Sequence, residues 1–155
     1  MTTDHNERGT TRLTADDRRL AILDNAELVF VKNGFHATST REIADACRVT
    51  EPVLYRHFKG KEDLFLTMLR RMFEDGIRDL QTQEQSEIEA EQARLRILEA
   101  LLLCNSTPQI EETGSLARSR AAELKAAFGR NQPDGPGSEL AVSLGRLILD
   151  RLEID

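Results

Sequence analysis

The sequence has few of the features that mark secreted, disulfide-stabilised or membrane-spanning proteins. It contains two cysteines among 155 residues, Cys47 and Cys104, which give neither a disulfide framework nor the spacing of a zinc site. No apolar run approaches the roughly 18 residues that a membrane-spanning helix needs, and residues 1–12 are too polar for a signal peptide. We therefore expect a cytoplasmic protein with reduced thiols and no membrane partner.

Motifs of the common enzyme classes are also missing. We find no nucleophile elbow, no Walker loop, no glycine-rich dinucleotide motif and no His and Glu metal pair. His5 and His36 have no companion ligands nearby in the sequence, so a metal site is not expected. The sequence thus predicts neither catalysis nor a cofactor.

Strand-like alternation and Asn-Gly or Asp-Gly hairpin turns are absent as well. Apolar residues recur instead at steps of three and four, as on one face of an α-helix. The predicted fold is therefore all-α, with seven helices. They span approximately residues 14–33, 40–47, 50–58, 61–80, 86–104, 116–128 and 139–152.

Capping residues and breakers place the ends of these helices. Three capping boxes, each with a Ser or Thr three residues before an acidic residue, predict helix starts: Thr14 with Asp17, Ser39 with Glu42, and Ser86 with Glu89. Thr50 is predicted to cap the third helix, and Gly34 to end the first in a left-handed turn. Pro108 and Gly114 are expected to keep residues 105–115 non-helical.

The charge is unevenly distributed along the chain. A formal net charge of −6 disfavours nucleic acid on average. Residues 10–62, however, carry nine Lys and Arg against eight Asp and Glu, whereas residues 63–155 carry eleven against seventeen. Because salt screens charges beyond about 8–10 Å, a local basic cluster is enough for phosphate binding.

Residues 16–64 predict a helix-turn-helix, with two short helices joined by a tight turn after a longer supporting helix. In such a unit the second short helix enters the DNA major groove and the first lies against the backbone. The packing residues of the third helix are predicted to be Val53, Leu54 and Phe58, and the polar groups beside them Tyr55, Arg56 and His57. Many three-helix units bind no DNA, so this pattern favours DNA binding without establishing it.

Four segments of this region carry a family resemblance. They read GFHATS at 34–39, IA at 43–44, VTEPVLYRHF at 49–58 and KEDL at 61–64. Together they resemble the N-terminal domain of the TetR (tetracycline-repressor-like) family of transcriptional regulators. The rest of the chain, which is short for that family, is similar only in being helical.

The resemblance implies a division into a flexible arm (residues 1–13), a helix-turn-helix DNA-binding domain (14–62) and a helical ligand-binding and dimerisation domain (63–155). It implies a ligand-responsive regulator, expected to be a repressor, that binds a palindromic double-stranded operator as a homodimer. A small, apolar effector would release it. The alternative is a helical protein-interaction module with a degenerate DNA-binding head.

The resemblance also implies which residues contact DNA. They are Thr40, Arg41, Thr50, Glu51, Pro52, Val53, Tyr55, Arg56, His57 and Lys61. Residues 50–53 would present the base-reading face, while Arg41 would reach a phosphate or a guanine edge. Thr40, Tyr55, His57 and Lys61 would hold phosphates.

Two positions depart from expectation. Arg48 stands where the turn usually has Gly, and a non-Gly residue at positive φ costs on the order of 1 kcal/mol. Either the turn is reshaped, or a phosphate contact by Arg48 offsets that cost. Glu51 would either repel phosphate or accept a hydrogen bond from cytosine N4.

An effector pocket and a dimer interface are expected in the C-terminal part. A ligand lodged beside the fourth helix would tilt it and separate the DNA-binding heads. The expected pocket residues are Met68, Met72, Phe73, Leu98 and Leu102. The expected interface residues are Ala117, Ala121, Leu124, Leu140, Leu144, Leu147 and Ile148.

For each of these features a plainer interpretation stays open. A row of methionines is more often part of an ordinary core than of a ligand pocket. The terminal helix would also serve to cover a monomeric core. For both cysteines, burial as a small side chain is favoured over redox sensing.

Overall fold

A computed structural model describes residues 13–82 and 86–128, and within them every regular element is an α-helix. The chain is all-α, as predicted. The six helices are α1 (Ala15–Ala37), α2 (Thr40–Ala46), α3 (Glu51–His57), α4 (Lys61–Gln81), α5 (Glu87–Asn105) and α6 (Glu111–Phe128). The predicted helix at 139–152 and residues 1–12 of the predicted arm lie outside the described residues. None of the described helices is long and apolar enough to cross a bilayer.

Capping boxes begin α1 and α5 where the sequence predicts them. The Thr14 hydroxyl accepts from the Asp17 N–H at 3.1 Å, and the Thr14 N–H donates to the Asp17 carboxylate at 3.2 Å. Ser86 and Glu89 form the same pair of bonds before α5. The backbone and hydroxyl donors of Ser86 hold the pKa of the Glu89 carboxyl below its usual range.

At α2 only half of the predicted capping box forms. The Ser39 hydroxyl accepts from the Glu42 N–H at 3.1 Å. The Glu42 carboxylate instead accepts from the Asn33 side-chain amide at 2.8 Å. This bond links the start of α2 to the end of α1.

One predicted helix boundary is wrong, and another is right but lacks its predicted capping bond. Thr50 occupies the N-cap position of α3 as predicted, but its side chain makes no capping hydrogen bond. Gly114 does not interrupt the chain, because it lies inside α6, which begins at Glu111. Short turns closed by the buried hydroxyls of Thr107 and Thr113 make the α5–α6 connection shorter than predicted.

Gly34 produces the predicted break in α1. Its φ of 79° is non-helical, and one further helical turn follows it. That positive φ is accessible to glycine without the steric cost that a Cβ would add. The kink sends residues 35–39 toward the start of α4.

The turn between α2 and α3 keeps a left-handed residue although it contains no glycine. Arg48 has a φ of 55°. Its N–H donates to the Asp45 carbonyl at 3.1 Å, and the next N–H, of Val49, donates to the Ala44 carbonyl at 3.0 Å. These are the two bonds of a Schellman motif, in which glycine is the usual residue at the left-handed position. The turn therefore keeps its usual shape, and Arg48 adopts the left-handed backbone conformation despite its steric cost.

One continuous apolar core joins the helices. It includes Phe30 of α1, Ile43 of α2, Leu54 of α3, Phe65 of α4 and Ile97 of α5, all of them buried. The α4 helix contributes most of its length to this core, since its buried side chains run from Leu64 to Ile77.

Ion pairs and a polar contact connect the later helices to α1. Arg96 of α5 donates to both carboxylate oxygens of Glu27, the shorter contact being 3.1 Å. Arg71 of α4 lies 2.8 Å from Asp24. At the far end of α1, the ring of His36 lies 2.6 Å from the Gln109 amide.

Close approach of α4 and α5 predicts opposite effects of alanine at two helical glycines. A Cβ at Gly76 would lie 2.7 Å from Cγ1 of Ile97, whereas at Gly114 it would meet only Arg118 Nη1, at 3.5 Å. Overpacking of this kind costs roughly 1–3 kcal/mol, against about 1 kcal/mol gained in helix propensity. Gly76→Ala should therefore lower the free energy of unfolding, and Gly114→Ala should raise it, in urea titrations. Stabilisation by both variants would contradict this packing.

The strained turn gives a second prediction. Arg48→Gly should raise the free energy of unfolding by up to about 1 kcal/mol, because relief of a left-handed L residue exceeds the added unfolded-state entropy. Arg48→Ala is the matched control, since it removes the same charge but retains a Cβ. Equal stabilities of the two variants in urea would rule out backbone strain.

Candidate DNA-binding interface

Buried side chains on the inner faces of α2 and α3 fix the orientation of these short helices. Ile43, Leu54 and Phe58 are buried, with exposed fractions of 0–2%. Phe35 and Val49 are half-buried and pack against the same core. The core predicted for this unit is therefore present, and the opposite side of α3 is left facing outward.

An arginine that the sequence analysis missed anchors the end of α3. Arg19 of α1 donates a hydrogen bond to the His57 carbonyl, and its guanidinium lies 4.3 Å from the centroid of the Phe58 ring. A cation at the last carbonyls of a helix is favourable. No local pattern could have revealed this contact, because 38 residues separate its partners.

Lys61 makes contacts inside the protein that the sequence did not predict. Its ammonium donates to the carbonyls of Phe35 and Thr38 at 3.0 and 3.1 Å. It also lies 4.2 Å from the centroid of the Phe35 ring. Lys61 therefore ties the start of α4 to the end of α1. Because an ammonium has three protons, its phosphate contact stays a prediction.

The other predicted DNA contacts share one region but differ in exposure. Arg41, Thr50, Pro52, Tyr55 and Arg56 are exposed. Thr40, Glu51, Val53 and His57 are half-buried. Arg48 and Lys59 are exposed nearby in the sequence, so that the unit presents four basic side chains in residues 41–59.

Three of the predicted contacts are hydrogen-bonded to one another. The Thr40 hydroxyl donates to Oε1 of Glu51 at 3.3 Å, and the Tyr55 hydroxyl donates to Thr40 Oγ1 at 3.3 Å. This chain joins the first turn of α2 to two positions of α3. It brings a carboxylate beside two hydroxyls that were expected to bind phosphate.

Both thiols are held in packed surroundings. Cys47 is half-buried and its Sγ lies 3.8 Å from the Ile22 carbonyl, while Cys104 is buried. Burial raises the pKa of Cys47 to about 11 and that of Cys104 to about 12. Protonated thiols are poor nucleophiles, which agrees with the favoured structural interpretation.

The expected effector pocket is divided between the core and the surface. Met68, Met72 and Phe73 are fully buried in the core, and Leu98 is half-buried. Leu102 points outward with 63% of its surface exposed, so it does not line the interior beside the methionines. That expectation is corrected for Leu102, which lies on the outer face of α5.

The expected dimer interface is described only in α6. Ala117 and Ala121 are buried within the chain, and Ala117 belongs to its core. These alanines therefore serve close packing inside one chain, a correction to their predicted interface role. Leu124 is half-buried and packs against the core. The remaining predicted residues lie outside the described part of the chain: Leu140, Leu144, Leu147 and Ile148.

Part of the chain is similar in sequence to known regulatory proteins. Residues 22–68 match the family model described as bacterial regulatory proteins, tetR family. The chain is 48% identical over 66 residues to the HTH-type transcriptional activator FasR of Mycolicibacterium smegmatis. The aligned segment covers 43% of this chain and 30% of FasR. The chain is also 40% identical over 58 residues to the HTH-type transcriptional repressor KstR2 of Rhodococcus jostii. That alignment covers 37% of this chain and 28% of KstR2. The matched segment thus spans less than a third of either relative.

The likeness extends to a solved structure. A TetR-like transcriptional regulator from Rhodococcus sp. RHA1 superposes with a TM-score of 0.56 and 25% sequence identity, over 91% of this chain and 86% of that one. The match to the family model ends at residue 68, within α4, while the structural likeness covers 91% of the chain. Residues 22–68 are therefore similar to the tetR family of bacterial regulatory proteins, and the all-helical fold is similar to that of a TetR-like regulator.

Proposed function

We propose that this chain is a DNA-binding regulator of transcription, whose helix α3 reads the major groove. The observation that carries the proposal is the outward face of α3, held by the buried residues Leu54 and Phe58. Exposed Arg41, Arg48 and Arg56 are placed to meet phosphates beside that groove. The relatives in which this domain recurs are named as transcriptional regulators.

The finer proposal is a repressor released by a small, apolar effector. Helix α4 supports it, because Phe65 packs against Phe30 of the head at 4.9 Å between ring centroids, while Met72 and Phe73 lie deeper in the core. A ligand that displaced the buried part of α4 would also move the part that packs against the head through Phe65. One relative is named as an activator and the other as a repressor; repression is our choice between them.

DNA binding should fall steeply with salt, since each phosphate contact releases counterions. Arg56→Ala should weaken binding to all duplexes about equally and reduce the slope of log K against log[salt] by about 1. Arg118→Ala, which removes the same charge from an exposed position of α6, is the control. Fluorescence anisotropy with duplexes enriched from a random pool measures both effects.

Two outcomes would contradict the proposal. Absence of binding, or binding independent of salt, would favour the helical interaction module. An equal loss in the Arg56 and Arg118 variants would mean that α3 has no special place in binding.

We also propose that the active form is a homodimer on a palindromic operator. Two copies of α3 would then read half-sites about 34–36 Å apart, one helical turn of DNA. Sedimentation velocity at micromolar concentration should give a mass near twice the 17.5 kDa of the chain. A single species with the mass of one chain, both free and on DNA, would exclude the dimer.

A further inference from the structure

The chain of hydrogen bonds among Thr40, Glu51 and Tyr55 has a defined direction. An ionised carboxylate only accepts hydrogen bonds, so Thr40 must donate its one hydroxyl proton to Glu51. Tyr55 must then donate its own proton to Thr40 Oγ1. Both hydroxyl protons therefore point along the chain toward Glu51.

This arrangement withholds two donors from DNA. A phosphate oxygen needs a donated proton, and the protons of Thr40 and Tyr55 are already engaged. Both bonds measure 3.3 Å, longer than the 2.7–2.8 Å or so typical of hydroxyl donors. They are weak enough to be exchanged for better partners.

The carboxylate itself lacks a compensating cation. Within residues 13–82 and 86–128, the ion pairs of the structure involve other acidic residues and not Glu51. Glu51 lies in the first turn of α3 and is half-buried. A negative group at this position repels phosphates and accepts hydrogen bonds from base edges.

We propose, on the basis of the proposed function, that Glu51 is a specificity-determining residue that accepts a hydrogen bond from cytosine N4. Thr40 donates to Oε1, and because an ionised carboxylate accepts on both oxygens, Glu51 keeps capacity for the cytosine amino group. On a duplex without that cytosine, the carboxylate repels phosphate and engages the hydroxyl protons of Thr40 and Tyr55, so binding is weaker.

The chemistry of the major groove favours cytosine over the other bases. Guanine presents two acceptors, and thymine presents an acceptor and a methyl group, so neither offers a proton to a carboxylate. Adenine has an amino group, but its N7 acceptor lies beside it and repels the negative charge. The amino group of cytosine has an acceptor on one side only, O6 of the paired guanine, whereas that of adenine lies between its own N7 and O4 of the paired thymine.

The test compares Glu51→Gln with wild type on two probes. One is a duplex enriched from a random pool by the wild-type protein, and the other is a random-sequence duplex. Glu51→Gln should bind the random duplex at least about threefold more tightly and lose about tenfold in discrimination against replacement of the contacted cytosine. Glu51→Ala should shift both quantities in the same direction, and urea titrations establish that each variant is folded.

Glu62→Gln is the matched control, because it removes one negative charge from an exposed residue at the start of α4. If the Glu51 and Glu62 variants change both affinities alike, the carboxylate acts only through net charge, and the inference is overturned. Unchanged base discrimination in Glu51→Gln and Glu51→Ala would also overturn it. If the wild-type protein binds no duplex in a salt-dependent way, the proposed function itself fails. The first two outcomes, in contrast, overturn only the role of Glu51.

Discussion

The face proposed to meet DNA depends on burial, because the two helices that form it are too short to persist alone. Both α2 and α3 have seven residues, whereas an isolated helix shorter than about 12–15 residues is marginal in water. Their stability must come from the apolar residues that they place against α1 and α4. Phe30, Phe35 and Phe65 meet there with ring centroids 4.8–6.1 Å apart. This aromatic contact joins α1 to α4, and the burial of Leu54 and Phe58 in the same core orients α3.

Basic residues of the head serve two separate purposes. Arg19 and Lys61 donate to backbone carbonyls and lie over aromatic rings, so they stabilise the positions of α3 and α4. Arg41 of α2 and Arg56 of α3, in contrast, are exposed. A local count of positive charge therefore overestimates how many cations can reach a phosphate.

The sequence predicts most clearly the features that depend on neighbouring residues. The capping box at Thr14, the break at Gly34 and the amphipathic α4 are of this kind, since their partners lie within a few positions. Contacts between distant residues were not predictable: Lys61 binds a carbonyl 26 positions away. Gly114 shows the opposite error, because a helix tolerates a glycine that local reasoning takes for a breaker.

The candidate site was also predictable only in its local features. The family motif predicts which residues belong to it, and helical periodicity predicts which of them face outward. The motif did not indicate that Thr40, Glu51 and Tyr55 are bonded to one another, because the bond between Thr40 and Glu51 spans the turn at Arg48. Packing between α2 and α3 determines that network, which supports one of the two roles that the sequence left open for Glu51, acceptance of a hydrogen bond from cytosine.

If α3 enters the major groove, it should protect guanine N7 from methylation. On a duplex that the protein selects, we expect two protected patches about 10–10.5 base pairs apart on one face of the DNA. Bound DNA whose major-groove guanines all stay fully reactive would contradict it.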